Sequence, residues 1–156
     1  MRILVISDTH GNSHNAEKAI EMLCPDKVIF LGDGEREMEN LSYLYKDIQF
    51  YMVAGNCDFL SQLRTVDSMT VCGKRIMFTH GHPYGVKGGT GTLEKTAREN
   101  GYDIVLYGHT HIPENRYDNG LYIINPGSAS RPVFSRPSVA YIDFINDNIL
   151  TNIVEI

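Results

Sequence analysis

Five short apolar runs in this sequence each end in residues that can bind a metal ion. Such runs are typical of buried strands, and glycines lie close to most of their ends, where they let the backbone turn sharply. Carboxylate and amide oxygens combined with imidazole nitrogens suit first-row transition metals. The residues at the five ends are Asp8 with His10, Asp33, Asn56, His80, and His109 with His111.

This set supplies three oxygen ligands and four imidazoles, which suits two cations that share a bridging carboxylate. Two ions about 3.5–4 Å apart can bind a phosphate ester through two of its oxygens and hold a hydroxide for in-line attack. The residue types therefore predict metal-assisted hydrolysis of phosphate esters.

Each of these residues also has a plainer interpretation when taken alone. A buried histidine is more often a hydrogen-bonded core residue than a ligand. The turn that contains Asp8 and His10 is equally compatible with a hydrogen-bonded loop. The joint pattern favours a site, because of the six histidines only His14 lies outside these motifs.

The front half of the chain predicts alternating strands and helices. Ala16, Ala19, Ile20 and Leu23 follow the spacing of one helix face, so the flanking runs form a strand–helix–strand unit with parallel strands. The carboxyl ends of such strands share the edge where open α/β sheets place ligands. Strands are predicted over residues 3–6, 27–31 and 50–54, and a second helix over about 35–45.

The back half is predicted to be mainly β. Gly73-Lys74 between two β-type arms is typical of a hairpin, and a short helix over 93–100 is capped by Gly101. Strands are predicted over 70–72, 75–78, 104–107, 121–124, 139–144 and 149–156, with a turn at 146–148. Together the halves predict an α/β (α+β) fold in which two mixed sheets pack face to face, flanked by helices.

Composition argues against several classes of partner. With 156 residues the chain is expected to form a single domain, 1–156. Its net charge of −5, with acidic and basic residues interspersed, gives no basic surface for nucleic acid or anionic membranes. The three cysteines lack zinc-type spacing, which favours a reducing, cytoplasmic location. No apolar run approaches the roughly 18 residues of a membrane span.

The order of the motifs resembles that of the calcineurin-like metallophosphoesterases over nearly the whole chain. The motifs are Asp8-Thr9-His10, Gly32-Asp33, Gly55-Asn56, His80-Gly81 and Gly108-His109-Thr110-His111. The compact length and the Gly-Asn-Cys-Asp, His-Gly-His and Asn-Pro-Gly-Ser segments are similar to those of small YfcE-like phosphodiesterases. The resemblance implies a four-layer α/β/β/α fold, a small-molecule phosphodiester substrate and a homo-oligomer, either dimer or tetramer.

The resemblance also implies how two divalent cations would be held, with Mn²⁺ favoured over Ni²⁺, Zn²⁺ or iron. One cation would be bound by Asp8, His10, Asp33 and His111, and the other by Asp33, Asn56, His80 and His109. Asp33 would bridge the cations, and Asn56 would also reach the substrate phosphate. A hydroxide between the cations would be the nucleophile.

Cys57 departs from the pattern of the wider family. Many of its phosphatases have a histidine after the Gly-Asn pair, where it stabilises the transition state or protonates the leaving oxygen. A thiol with a pKa of ~8.5 is a poor donor and carries no positive charge at neutral pH. We therefore expect diesters to be preferred over monoesters, and activated aryl esters over alkyl esters. Asp58 and His82 are predicted to support catalysis, and Asn12 and Ser128 to bind substrate.

Two alternatives to a phosphodiesterase stay open from the sequence. The same family includes a retromer scaffold subunit that keeps the fold, departs from the full ligand set and works mainly through protein contacts. All ligand types are present in this chain, which favours catalysis, although ligands establish cation binding rather than turnover. A phosphomonoesterase is the second alternative.

Overall fold

The computed structural model describes residues 1–146 and 148–156, which contain three α-helices and ten strands. The helices are α1 (His14–Leu23), α2 (Glu35–Leu44) and α3 (Gly91–Glu99). The strands are β1 (Arg2–Ile6), β2 (Lys27–Phe30), β3 (Gln49–Met52), β4 (Val66–Val71), β5 (Lys74–Thr79), β6 (Ile104–Leu106), β7 (Glu114–Asp118), β8 (Leu121–Asn125), β9 (Ser138–Ile145) and β10 (Asn148–Glu155).

The strands form two mixed sheets of five strands each, as predicted. The first sheet has the order β10-β9-β1-β2-β3, in which β1, β2 and β3 are parallel and β9 and β10 are antiparallel to their neighbours. The second has the order β4-β5-β6-β8-β7, with β5, β6 and β8 parallel and an antiparallel strand at each edge. Each sheet contains three adjacent parallel strands, which end at a common edge.

Alternating side chains along β1 produce the layers of the fold. Ile3 and Val5 pack with Phe78 of the second sheet, whereas Leu4 and Ile6 pack with α1 and α2 on the outer face. Helix α3 covers the outer face of the second sheet. The predicted four-layer α/β/β/α arrangement is therefore confirmed.

The helices begin and end near their predicted bounds. Helix α1 buries Ala16, Ala19 and Ile20, the face that the spacing predicted, and ends before Cys24, which has a left-handed backbone. Among the described helices, none has the length and apolarity that crossing a membrane requires.

Several strand predictions need correction. β3 ends at Met52, although the next N–H, that of Val53, still donates to Phe30 O at 3.1 Å. β4 begins at Val66 rather than residue 70, and β7 was not predicted at all, because its sequence Glu-Asn-Arg-Tyr-Asp contains one apolar side chain. Of the turn predicted at 146–148, Asp147 lies outside the described residues.

Candidate metal centre

All seven predicted ligands lie together at the edge where the central parallel strands end. Each lies in a loop that follows one of the parallel strands, β1, β2 and β3 in the first sheet and β5 and β6 in the second. Because the sheets pack face to face, the loops of both sheets meet at this edge. The residues brought together are Asp8, His10, Asp33, Asn56, His80, His109 and His111.

One group of ligand atoms surrounds the Asp8 carboxylate. Asp8 Oδ1 lies 3.0 Å from His111 Nε2 and 3.6 Å from His10 Nε2. The two imidazole nitrogens are 3.2 Å apart, and His10 Nε2 lies 3.8 Å from Asp33 Oδ2. Four side chains from three strand-end loops thus point donor atoms at one small volume.

A second group surrounds His80. Its Nε2 lies 3.1 Å from Asn56 Oδ1, 3.1 Å from His109 Nδ1 and 3.5 Å from Asp33 Oδ2. The same oxygen of Asp33 therefore faces both groups.

The chemistry of these atoms fits a pair of cations. Asp8 is fully buried, and within the described residues its Oδ1 has no hydrogen-bond partner. Imidazole nitrogens that face one another at about 3 Å repel unless a proton or a metal ion lies between them. Buried lone pairs without donors are costly, and a divalent cation in each group would satisfy them. The mixed oxygen and nitrogen set suits first-row transition metals.

Surrounding groups fix which atom of each side chain points inward. The Ser7 hydroxyl donates to Asp8 Oδ2 at 2.5 Å, and the backbone N–H of His109 donates to the same oxygen at 3.1 Å, which leaves Oδ1 free. His80 Nδ1 lies 2.8 Å from the carbonyl of Leu31, so it carries the proton and Nε2 keeps its lone pair. His111 is oriented in the same way by a backbone carbonyl, that of residue 131.

Charge in the site favours bound cations. Burial opposes ionisation of Asp8, but the nearby imidazoles of His10 and His111 outweigh it, so the pKa of Asp8 lies well below its usual range. The same carboxylate raises the pKa of His111. Burial, then the charges of His80 and Lys87, lower the pKa of His109 to about 4, so its imidazole is neutral at pH 7.

Five of the seven ligands have a left-handed backbone, which residues other than glycine rarely adopt. Strain of this kind costs on the order of 1 kcal/mol per residue and persists where the surrounding structure enforces it, most often at functional sites. The residues and their φ angles are Asp8 (57°), His10 (43°), Asp33 (61°), His109 (68°) and His111 (59°).

Two glycines allow the loops to approach the ligands closely. A Cβ atom on Gly55 would lie 2.1 Å from Asp33 Oδ1, and one on Gly108 would lie 2.0 Å from Ser7 Oγ. Both contacts are far shorter than real contacts allow, so any side chain at either position would displace a ligand or its support.

Asp58, which was predicted to support catalysis, binds backbone N–H groups of two loops. Its Oδ1 accepts from the N–H groups of Gly34 (2.8 Å) and Glu35 (3.0 Å), and its Oδ2 from those of Asp33 and Gly55 (both 2.8 Å). Although burial opposes the charged form, these four hydrogen bonds hold the pKa of Asp58 below its usual value. The carboxylate thereby fixes the Asp33 loop to the Asn56 loop and caps α2.

Ser128, predicted to bind substrate, is instead fully buried beneath the site. Its hydroxyl donates to the carbonyl of Asp8 at 2.8 Å and accepts from the N–H of Arg131 at 2.8 Å. Ser130 Oγ donates to the carbonyl of Thr9 at 2.6 Å. In the structure Ser128 therefore positions the Asp8 loop, and its contact with substrate stays a prediction.

Replacement of Ser128 by alanine is expected to destabilise the fold by about 1–2 kcal/mol and to weaken Mn²⁺ binding roughly tenfold, because the Asp8 loop loses its buried support. Urea unfolding and isothermal titration with Mn²⁺ measure the two effects. Ser42→Ala is the control, since among the described residues that hydroxyl bonds only within α2, to Glu39 O. Equal behaviour of the two variants would exclude the positioning role.

The other predicted residues occupy different places around the site. The His82 ring lies 5.4 Å from that of His80, centroid to centroid, and burial followed by the charge of His80 lowers its pKa. Cys57 is exposed, and its N–H donates to Asp33 Oδ1 at 2.8 Å. Asn12 is exposed, and its side-chain oxygen accepts from the N–H of His14 at 3.0 Å. Among the described residues, no hydrogen bond joins the Asn12 side chain to the predicted ligands.

Sequence reasoning missed three supporting residues. Ser7 had a readable signal, since it directly precedes a predicted ligand. Lys87, whose charge acts on His109 and His111, lies in a glycine-rich segment without a motif. The carbonyl of Arg131 carries no signal at all, because backbone groups do not appear in a residue pattern.

The fold and the two groups of predicted ligand atoms indicate a class of two-sheet proteins whose metal-binding residues lie at a common strand edge. A model of the calcineurin-like phosphoesterase superfamily domain matches residues 1–147, and the chain belongs to this superfamily. Recognition of the family from its motifs is therefore confirmed.

Individual relatives agree with this membership. The chain is 30% identical over 148 residues to the probable metallophosphoesterase YsnB of Bacillus subtilis, which covers 94% of this chain and 86% of that protein. It is 26% identical to the phosphodiesterase YfcE of Escherichia coli K12, covering 88% and 84%. A crystal structure of a conserved Streptococcus pneumoniae protein, titled a predicted phosphoesterase, superposes with a TM-score of 0.83 at 27% identity, covering 99% and 88%.

One relative carries a name that does not refer to phosphoesterase activity. The vacuolar protein sorting-associated protein 29 of Schizosaccharomyces pombe is 30% identical over 138 residues, covering 83% of this chain and 73% of that protein.

Proposed function

We propose that this chain is a divalent-metal-dependent phosphodiesterase with two cations in its site. The observation that carries the proposal is the position of Asp33 Oδ2, which lies 3.8 Å from His10 Nε2 and 3.5 Å from His80 Nε2, between the two groups of ligand atoms. The metal-binding residues of the proposal are the seven at the strand ends, and Mn²⁺ is the first cation to test, before Ni²⁺, Zn²⁺ and iron.

The residues of the chain have distinct tasks in this proposal. When bound, the two cations supply positive charge for the phosphate and activate water as the nucleophile. Asp8 and Asp33 contribute negative charge that holds both cations in place. Asn56 points its Oδ1 at His80 and its Nδ2 towards Cys57 Sγ at 3.3 Å, so its amide can donate to a phosphate oxygen beside the second group.

Cys57 supports the preference for diesters with good leaving groups. Partial desolvation of the thiol and the neighbouring Asp33 carboxylate raise the pKa of Cys57 to about 11, so the thiol is neutral at pH 7. A neutral thiol is a weak donor and offers no charge to the second negative oxygen of a monoester. Esters whose leaving group needs no protonation are therefore the expected substrates.

The substitution Cys57→His is expected to speed cleavage of diesters with alkyl leaving groups by about 10²-fold and to change p-nitrophenyl esters little, because general acid catalysis matters only for the poor leaving groups. The measurement is kcat/KM for a series of phosphodiesters that differ in leaving-group pKa. Cys57→Ser, similar in size and without an imidazole, is the control. A uniform change along the series would contradict the assigned role.

The proposal as a whole is tested by hydrolysis of bis-p-nitrophenyl phosphate beside p-nitrophenyl phosphate. Metal-stripped protein is assayed with and without added Mn²⁺, and the bound metal per chain is measured by elemental analysis. Cleavage of the diester only after metal addition supports the phosphodiesterase. Faster cleavage of the monoester would favour a phosphomonoesterase.

A protein-interaction scaffold is the second candidate, favoured by the vacuolar protein sorting relative. It predicts cations bound without turnover of either ester under any divalent metal. We also propose that residues 1–156 form a single cytoplasmic domain. The protein is further proposed to be a homo-oligomer, either dimer or tetramer, and sedimentation equilibrium tests its oligomeric state.

A further inference from the structure

A cleft of about 640 Å³ opens beside the ligand groups. Its lining includes two of the proposed ligands, His10 and Asp33, so a phosphate bound between the groups has its ester substituents at the mouth of this cleft. The wall beyond Cys57 is formed by Phe59 and Leu60. The side chains of this wall therefore influence which ester group the site accepts.

Phe59 and Leu60 contribute little to folding where they are. Their exposed fractions are 85% and 95%, and Leu60 has a left-handed backbone with φ 67°, which is unfavourable for a leucine. A folding core would bury such side chains, which are worth about 1.5–3 kcal/mol each when buried. Their position beside the cleft favours binding of an apolar group there.

The turn that carries them is rigidly attached to the site. The Phe59 N–H donates to Cys57 O at 3.1 Å, and the Ser61 N–H donates to Asp58 O at 3.3 Å. Asp58 is fixed in turn by its four backbone hydrogen bonds. The backbone of Phe59 is therefore fixed relative to Asp33, so its exposed ring can serve as a surface for a second ring.

The remaining wall restricts the chemistry of the ligand. Arg36 and Arg131 line the cleft together with three glutamates, Glu35, Glu37 and Glu39. The carboxylates disfavour an acidic ester group, whereas hydroxyl groups can hydrogen-bond to both charge types. A flat apolar ring with neutral polar substituents matches this surface.

On these grounds, and resting on the proposed phosphodiesterase activity, we infer that Phe59 and Leu60 bind an aromatic ester group of the substrate, the ring stacking on Phe59. Nucleoside and aryl diesters share this chemistry. Stacking of a base on an aromatic side chain changes affinity by roughly 5- to 150-fold.

The kinetic test uses three esters with the same leaving group, so that the chemical step is held constant. They are bis-p-nitrophenyl phosphate, thymidine 5′-p-nitrophenyl phosphate and methyl p-nitrophenyl phosphate. The p-nitrophenyl leaving group departs from all three esters, so they differ only in the group that is retained. We expect Phe59→Ala to lower kcat/KM about tenfold for one or both esters that retain a ring and to leave the methyl ester within about twofold. The ring-bearing ester that loses more identifies the source of the ring. Phe59→Tyr, which keeps the ring, should restore the rate.

A binding test does not depend on turnover and separates this inference from the proposed function. Isothermal titration of Mn²⁺-loaded protein with thymidine 5′-monophosphate and with methyl phosphate is expected to show at least about a tenfold preference for the nucleotide, reduced to within about twofold in Phe59→Ala. Phe134→Ala is the matched control, because Phe134 is 99% exposed, also has a left-handed backbone (φ 58°), and is not among the residues that line the cleft.

Three results would overturn the inference. They are the absence of a preference in the unaltered protein, an equal loss for ring-bearing and methyl ligands, and a dissociation of oligomers in Phe59→Ala, which would place Phe59 in a subunit interface. A protein that binds the nucleotide as expected but cleaves no ester would retain this inference and lose the proposed activity.

Discussion

Replacement of Asp33 by asparagine is expected to lower kcat/KM for bis-p-nitrophenyl phosphate by at least about 10³-fold, because charge stabilisation by metal ions contributes several kcal/mol to catalysis. Its Oδ2 faces both ligand groups, and an amide nitrogen there would present N–H groups to both cations. The remaining oxygen can still accept from the N–H of Cys57, so the fold should persist.

Metal content provides a readout that is independent of activity. Titration with Mn²⁺ is expected to show fewer than two cations per chain in Asp33→Asn and two in the unaltered protein. The control is Asp47→Asn, since Asp47 is exposed in the loop after α2. Two tightly bound cations and full activity in the Asp33 variant would exclude a shared ligand at this position.

The substitution Asp58→Asn is expected to destabilise the protein by about 3 kcal/mol or more and to weaken Mn²⁺ binding by at least about tenfold. Each carboxylate oxygen accepts two backbone N–H groups. In either orientation of the amide, its NH₂ group faces two donors, so two hydrogen bonds to a charged group are lost and two buried N–H groups lack acceptors.

Urea unfolding gives the stability change, and titration with Mn²⁺ gives the loss of affinity. The comparison with Asp47→Asn removes the general effect of one negative charge fewer. If Asp58 were instead a catalytic group, activity would fall while stability and cation affinity stayed equal to those of the control.

The layers of the fold were predictable because the central strands are nearly continuous apolar runs. β1, β2 and β6 are buried on both faces, and such strands stand out from the polar segments around them. The edge strand β7 has no such signal. Its residues are alternately half-buried and exposed, and tertiary pairing with β8 rather than composition makes it a strand.

The clustering of the seven proposed ligands was predictable because each combines a chemically distinctive side chain with a strand end. The roles of Asp58 and Ser128 were not, because they depend on partners distant along the chain. Ser128 bonds to the carbonyl of Asp8, 120 residues away, and Asp58 to the N–H of Glu35, 23 residues away. A side chain that holds the backbone of a distant loop has the same sequence signature as one in an ordinary turn.

The central position of β1 in its sheet has a consequence for biosynthesis. One neighbour, β2, follows within 25 residues, but the other, β9, pairs Arg2 with Asp143. Closing so long a loop is entropically costly and slow. During synthesis, β1 can pair with β9 only after the chain has been made as far as β9. A ribosome that has made the first half of the chain has synthesised Asp8, Asp33 and Asn56, yet neither His109 and His111 nor the strand that completes the sheet. The complete set of predicted ligands can therefore assemble only after the segment that contains His109 and His111 has been translated.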